Sequence, residues 1–170
     1  MQAKKAQSAK DDISEQVWAW LGEVPDPEIP VLSVLDLGIV RNVQVESNSV
    51  EVSVSPTYSG CPATEVIEHS IIAKLREKGV ENVSLKRVLS PPWTTDWISE
   101  AGRDKLREFG IAPPDGTMSK RALLGDSRKV ACPRCHVDNT TLVSEFGSTP
   151  CKASYKCDEC LEPFEHFKCI

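Results

Sequence analysis

Residues 38–79 read GIVRNVQVESNSVEVSVSPTYSGCPATEVIEHSIIAKLREKG, and two hydrophobic periods follow one another within them. Residues 38–45 alternate in part; residues 50–55 (VEVSVS) alternate cleanly, with Val50, Val52 and Val54 on one face. Successive strand side chains point to opposite faces, so a period of two marks a half-buried strand. Ser47, Asn48 and Ser49 fall between the two runs and suit a turn, which predicts a hairpin. Residues 56–62 (PTYSGCP) form a loop. From Ala63 to Lys78 the period becomes helical, with Ile67, Ile71, Ile72 and Leu75 on one side. Pro62 suits the first turn of that helix and Gly79 its exit.

Upstream, Asp11 or Asp12 opens a helix, with Glu15 completing a capping box. Ile13, Val17, Trp20 and Leu21 share one face of it, and Gly22 ends it. Pro25, Pro27 and Pro30 make residues 24–30 a loop. Downstream, residues 80–89 predict a third strand with Val83, Leu85 and Val88 inward, stopped by Pro91 and Pro92. A last helix is expected from about residue 95 to 109, with Ile98, Ala101, Leu106 and Phe109 as its apolar stripe. The order α-β-β-α-β-α predicts a small α+β domain with helices packed on one sheet. The expected organisation is a disordered tail at 1–10, this domain at 11–111, a Pro/Gly/Ser-containing linker at 112–129, and a cysteine-rich module at 130–170.

The chain has 170 residues, 40% of them hydrophobic. No apolar run approaches the roughly 20 residues that a membrane-spanning helix needs. Residues 1–10 are polar and basic with no apolar stretch behind them, unlike a secretory signal, so a cytoplasmic protein is expected. The net charge is −5. Residues 1–116 carry 12 basic and 18 acidic side chains, and residues 117–170 carry 8 and 7. Neither part offers the basic face that phosphate neutralisation requires, which argues against a nucleic-acid or membrane partner.

Six of the seven cysteines fall between positions 132 and 169. An odd total without a secretory signal argues against a disulfide scaffold and for metal or redox chemistry. Cys132-Pro-Arg-Cys135 and Cys157-Asp-Glu-Cys160 are two C-x-x-C pairs with 21 residues between them. Two such turns brought together place four sulfurs near the tetrahedral geometry that zinc takes, and the intervening strand material predicts a zinc ribbon. A pair of redox-active C-x-x-C motifs is the alternative. So short a module rarely folds without a staple, and a structural zinc would be one. Cys151 and Cys169 are surplus: each is either an extra ligand or a small buried residue. His136 and His166 read as surface or packing residues before they read as ligands.

Cys61 stands alone between a strand and a helix. Gly60 lets the backbone turn there, and the amino end of a helix favours negative charge, so a reactive thiol is one reading. An inert, half-buried cysteine is the other. His69, two helical turns on, is expected to face solvent, and no nucleophile–histidine pair is evident. Asp26, Glu28 and Asp36 could join Cys61 in a labile metal site, but Asp26 and Asp36 read first as turn and cap residues. Trp93 and Trp97 read as core and cover.

Three segments, DPEIPVLSVLDLGIV, PTYSGCPATEVIEHSI and SPPWTTDWISEAGRDKL, resemble the metal–sulfur cluster assembly domain family in order and spacing. That resemblance implies its small α/β fold and a role in iron–sulfur cluster delivery, with Cys61 at the position most associated with that role. The cysteine-rich extension resembles one branch, the D-subunit family of bacterial phenylacetyl-CoA epoxidase systems. This implies an accessory to a multicomponent di-iron monooxygenase of phenylacetate degradation, partnered with its oxygenase and reductase subunits. Its cargo would be transient iron or an iron–sulfur cluster. The chain has no Glu-x-x-His pair and no glycine-rich dinucleotide fingerprint, so it is not expected to bind oxygen, flavin or nicotinamide itself. A structural docking subunit, a zinc-ribbon nucleic-acid binder and a thiol redox enzyme are the competing classes, in that order.

Overall fold

The computed structural model describes residues 13–46, 49–58, 60–114 and 130–168. The chain divides into two compact units after Trp93. The expected tail, the cap at Asp11 or Asp12, the turn residues Ser47 and Asn48, most of the linker, and Cys169 lie outside the described residues.

The first unit holds α1 (residues 13–21), β1 (Val40–Glu46), β2 (Ser49–Val54), α2 (Ala63–Glu77) and β3 (Asn82–Arg87). β1 pairs antiparallel with β2, and β2 pairs parallel with β3. A parallel return needs a crossover, and α2 supplies it. The valine alternation is borne out: Val50, Val52 and Val54 are all buried. So is the stripe of α2, where Ala63, Ile67, Ile71 and Leu75 are buried and Ile72 is half-buried. α1 buries Val17 and Leu21, while Trp20 is half-buried and Ile13 is exposed. β3 is shorter than expected, and Val83, Leu85 and Val88 are only half-buried. The cause is position: β3 is an outer strand of the sheet, with a strand neighbour on one side only among the described residues. Segment 24–39 is irregular yet contributes Val24, Ile29, Leu32, Val34, Leu37 and Ile39 to the core. Trp93 is buried and donates from Nε1 to the Leu37 carbonyl at 2.8 Å.

The second unit holds a 3₁₀ turn (Thr95–Trp97), α3 (Glu100–Phe109), β4 (Ile111–Ala112), β5 (Thr140–Ser144), β6 (Lys152–Cys157) and β7 (Pro163–Phe167). Its sheet order is β4-β7-β6-β5. The helix expected from residue 95 is broken at Ile98, whose backbone is extended, and starts again after Ser99, whose hydroxyl caps Gly102 N. Its buried residues are Gly102 and Leu106; Ala101 and Phe109 are exposed. β4 pairs in parallel with β7, and the His166 ring nitrogen Nδ1 lies 3.2 Å from the Ala112 carbonyl. These ties place residues 94–112 in the same compact unit as the cysteine-rich segment, whereas the sequence alone suggests a boundary at 111. One cluster of buried residues in this unit joins Ala112, Val130, Cys132, Ala153, Tyr155, Cys157 and Phe164.

Candidate functional site

Two turns build the sulfur cluster, and they are near copies of each other. In the first, Cys132 N donates to the Val137 carbonyl at 2.9 Å; in the second, Cys157 N donates to the Glu162 carbonyl at 3.0 Å. Each turn is closed by a residue in the left-handed region, His136 and Leu161, both at φ 62°. The four sulfurs of Cys132, Cys135, Cys157 and Cys160 lie within 4.8 Å of one another. Cys132 Sγ is 3.8 Å from Cys160 Sγ, and Cys135 Sγ is 3.5 Å from Cys157 Sγ. A tetrahedron with zinc–sulfur bonds of about 2.3 Å has sulfur–sulfur edges of about 3.8 Å, so the donor set fits that ion.

The electrostatics separate the four thiols. Cys157 is lowered to about 7, chiefly because the Cys160 backbone amide donates to its sulfur. The amide of Val137 pulls Cys135 down, but burial and the neighbouring thiols of Cys157, Cys160 and Cys132 outweigh it and push it up to about 12. Crowding four thiols without a cation is what raises the second; a dication between them removes that cost. Cys132 and Cys157 are fully buried, so each sulfur is both a candidate ligand and a core atom.

The remaining cysteines separate clearly. Cys151 is buried, with its sulfur 3.0 Å from Thr149 Oγ1, and it stands outside the four-sulfur cluster. Strand β6 runs between it and Cys157, and six residues of strand span roughly 20 Å, so the two cannot share an ion. Cys169 lies outside the described residues. His136 is exposed at its turn, and His166 is buried edge-on against Tyr155, with ring centroids 5.7 Å apart. Both positions match the packing and surface readings.

Cys61 is half-buried at the entrance to α2. Its amide donates to the Tyr58 carbonyl at 3.3 Å, its carbonyl accepts from Thr64 N at 3.1 Å, and Gly60 before it sits at φ 86°. Pro62 caps α2 without a side-chain hydrogen bond, and the Cys61 carbonyl takes up the Thr64 amide of its first turn instead. A cleft of about 20 Å³ beside the loop is lined by Asp26, Thr57, Thr64 and Glu68 among others. The carboxylates are engaged in turn structure. Asp26 Oδ1 accepts from the amides of Glu28 and Ile29 at 2.9 and 2.7 Å. Asp36 Oδ2 accepts from Ser33 N and Oγ, both at 2.8 Å, and Ser33 Oγ accepts from Asp36 N in return. His69 is exposed on α2, as expected.

The second unit also contains a buried ion pair that the sequence does not announce. Lys152, 4% exposed, reaches Glu165 Oε2 at 2.8 Å. Spacing gives no signal for it, because a lysine heading a strand normally reads as a solvated edge residue.

Comparison with known proteins finds two family models along the chain. Residues 14–85 match the family model described as iron–sulfur cluster assembly protein, and residues 116–168 match the PaaD zinc beta ribbon domain. The chain is 49% identical over 155 residues, 91% of its length and 92% of the other, to an Escherichia coli (strain K12) protein whose provisional name is that of the D subunit of 1,2-phenylacetyl-CoA epoxidase. It is 32% identical over 87 residues to the Fe-S protein maturation auxiliary factor SufT of Staphylococcus aureus (strain USA300), covering 49% of this chain and 96% of that one. The crystal structure of a domain of unknown function, DUF59, from Bacillus anthracis superposes with a TM-score of 0.55 at 23% identity. It covers 59% of this chain and 96% of that one, and it bears on the fold alone. Among the described residues no helix is long and apolar enough to cross a membrane.

Proposed function

The chain belongs to the D-subunit family of 1,2-phenylacetyl-CoA epoxidase, and from that premise we propose that it is an accessory subunit that helps load metal into the oxygenase of such a system or its reductase. The observation that carries this reading is the similarity to the D subunit along 91% of the chain, which spans both units. The match of residues 14–85 to iron–sulfur cluster assembly proteins supports metal loading as the task.

In this reading the labour is divided. Cys132, Cys135, Cys157 and Cys160 hold one zinc ion, which supplies structure and no reaction, because all four positions are filled by protein. The ribbon so stapled docks the client subunit. Cys61 takes the cargo, iron or an iron–sulfur cluster, for transfer. Its half-buried place at a helix amino end suits brief tenure: among the described residues it offers a soft ligand outside any preassembled cluster of metal-ligating side chains. The chain is not expected to turn over substrate by itself.

The test is to co-produce the oxygenase subunits with wild-type chain or Cys61→Ser, then count metal in each purified component under anaerobic conditions. The expected result is zinc near one per chain in both, with iron in the client reduced several-fold by Cys61→Ser. Full iron in the client beside Cys61→Ser, with the two still co-purifying at fixed ratio, would overturn metal loading and favour a purely structural docking subunit.

A further inference from the structure

We propose that the outer edge of β5 is a docking strand, which pairs with an extended protein segment that is apolar in its middle and basic at one end. This deepens the docking role above and rests on it. The partner is a segment of the client oxygenase rather than a second copy of this chain.

The first observation is an open edge. β5 is last in the order β4-β7-β6-β5, and among the described residues no strand pairs with its outer side. Such an edge presents unpaired backbone N–H and C=O groups, and proteins usually blunt it with charge or cover it. Here it carries Leu142 at 40% exposure, Val143 at 66% and Phe146 at 70%. Glu145 is the one charged side chain among residues 140–146. The register slips between Leu142 and Ser144, which leaves Val143 out of the ladder with β6. Apolar side chains set along an open edge are the features a strand-adding partner reads.

The second observation is that the turn holding Phe146 in water is rigidly built. Glu165 accepts from the Ser148 amide and, at 3.1 Å, from its hydroxyl, and it pairs with the buried Lys152. Gly147 N donates to the Lys152 carbonyl at 2.8 Å. A Cβ at Gly147 would lie 2.5 Å from Glu165 Oε1 and 3.2 Å from Lys152 Cβ, so any larger residue there must displace the Glu165 carboxylate from its partners. Lys168 Nζ stands 4.8 Å from the centre of the Phe146 ring and donates to the Glu145 carbonyl at 3.0 Å. An ion pair on a buried lysine, a closely packed glycine and a cation over the ring together hold the turn that carries an exposed phenylalanine. Loose exposure would need none of them.

The third observation is charge. At the start of β5, Thr141 Oγ1 donates to Asp158 at 2.8 Å and Asn139 Nδ2 donates to Glu159 at 2.9 Å, and Asp138 adjoins them in sequence. Three carboxylates stand there against Lys156, which pairs in register with Thr141. A segment seated on this edge would meet negative charge at that end and apolar side chains beyond it. That favours a basic residue facing Asp138, and a second copy paired in parallel would bring the same carboxylates there.

The test is hydrogen exchange on the full zinc-loaded chain, alone and mixed with the purified oxygenase component of the same epoxidase system. Amides in residues 140–146 should exchange about tenfold more slowly on mixing, because strand addition engages the backbone. Val143→Asp and Phe146→Ser should each weaken association about tenfold or more while zinc content stays unchanged. Asp138→Lys should weaken it and reduce its salt dependence. Leu89→Ser removes an equally exposed leucine from the first unit and should leave association intact. Association that protects only other segments would overturn the edge proposal and leave the docking role standing. No association at all would remove both. Protection of 140–146 that grows with the concentration of this chain alone would also overturn the proposal, by assigning the edge to self-pairing.

Discussion

Leu161 is held at φ 62° while its side chain is 63% exposed. For a residue with a Cβ, that backbone region costs roughly 1–2 kcal/mol. The turn geometry imposes it: Cys157 N must reach the Glu162 carbonyl while Cys157 and Cys160 converge on one centre. Little burial is lost by removing the side chain, and glycine's added freedom in the unfolded chain offsets part of the relief. Leu161→Gly is therefore expected to raise the stability of the zinc-loaded ribbon by up to about 1 kcal/mol, read as a shift in its denaturant midpoint. Cys157 carries the opposite weight. Its sulfur is fully buried, accepts the Cys160 amide and is lowered to about 7. Structural zinc contributes on the order of 10–16 kcal/mol in small finger peptides, against total stabilities of about 5–15 kcal/mol for whole domains. Cys157→Ser should thus lose the metal and the ribbon's cooperative unfolding together, measured by zinc content and a denaturation curve. Retained stoichiometric zinc in that variant would refute the four-ligand assignment.

At the scale of the element, the link between β6 and β7 through Lys152 and Glu165 carries a pH signature. Burial pushes the Glu165 carboxyl up, but Lys152 and the Ser148 amide and hydroxyl pull it down further, so it ends below its ordinary range. A carboxylate depressed in the folded state stabilises fully above its unfolded value of about 4.3, and the gain disappears as pH falls through its lower folded value. Glu165→Gln should destabilise the ribbon by about 1–3 kcal/mol at neutral pH, because Lys152 stays buried without its partner. The gap to wild type should be constant from about pH 7 to 5 and close below about 4. A gap that persists unchanged at low pH would show that packing, and not the ion pair, is responsible. Elements also differ in how far the sequence alone declares them. The hairpin, α2 and the paired C-x-x-C turns are legible because each has a local signal: a period of two, a period of 3.6 or a ligand spacing. The break at Ile98 is not, because Ile98, Ala101 and Phe109 also fit a continuous helical stripe. What competes with that stripe is the cap at Ser99. Arg103 adds to it by donating to the carbonyls of Thr95 and Pro114, eight and eleven residues away and outside the helical period. β4 is silent for the same reason: two residues have no period, and only β7 makes Ile111 and Ala112 a strand.

At the scale of the whole molecule, the two units should respond differently to loss of metal. The first buries a continuous aliphatic core, with Val17, Leu21, Leu32, Val34, Val52, Ile71 and Leu75 all at 0% exposure. It needs no staple. In the second, the cluster beneath the sulfurs is small, and two of its members, Cys132 and Cys157, are themselves candidate zinc ligands. Stripping the ion leaves four crowded thiols over that core, with Cys135 pushed up to about 12 by burial and by its neighbours. Each turn then loses the centre that holds it, and the left-handed residues His136 and Leu161 lose the constraint that kept them there. Chelation under reducing conditions should therefore raise hydrogen exchange throughout β5, β6 and β7, with β4 following because β7 is its sole strand partner among the described residues. The amides of β1, β2 and α2 should stay protected. Readdition of one equivalent of zinc should restore the pattern, since the ligands sit on two local turns and the ion supplies the centre that joins them. Uniform deprotection of both units would mean that the first depends on the second for its stability. Unchanged protection of β5–β7 after complete zinc removal would mean that hydrophobic packing around Tyr155 and Phe164, whose rings stack at 5.8 Å, suffices without the ion. Such stacking adds only about 0.5–1.5 kcal/mol beyond burial, far below what the metal supplies, and on that balance the ribbon should melt first.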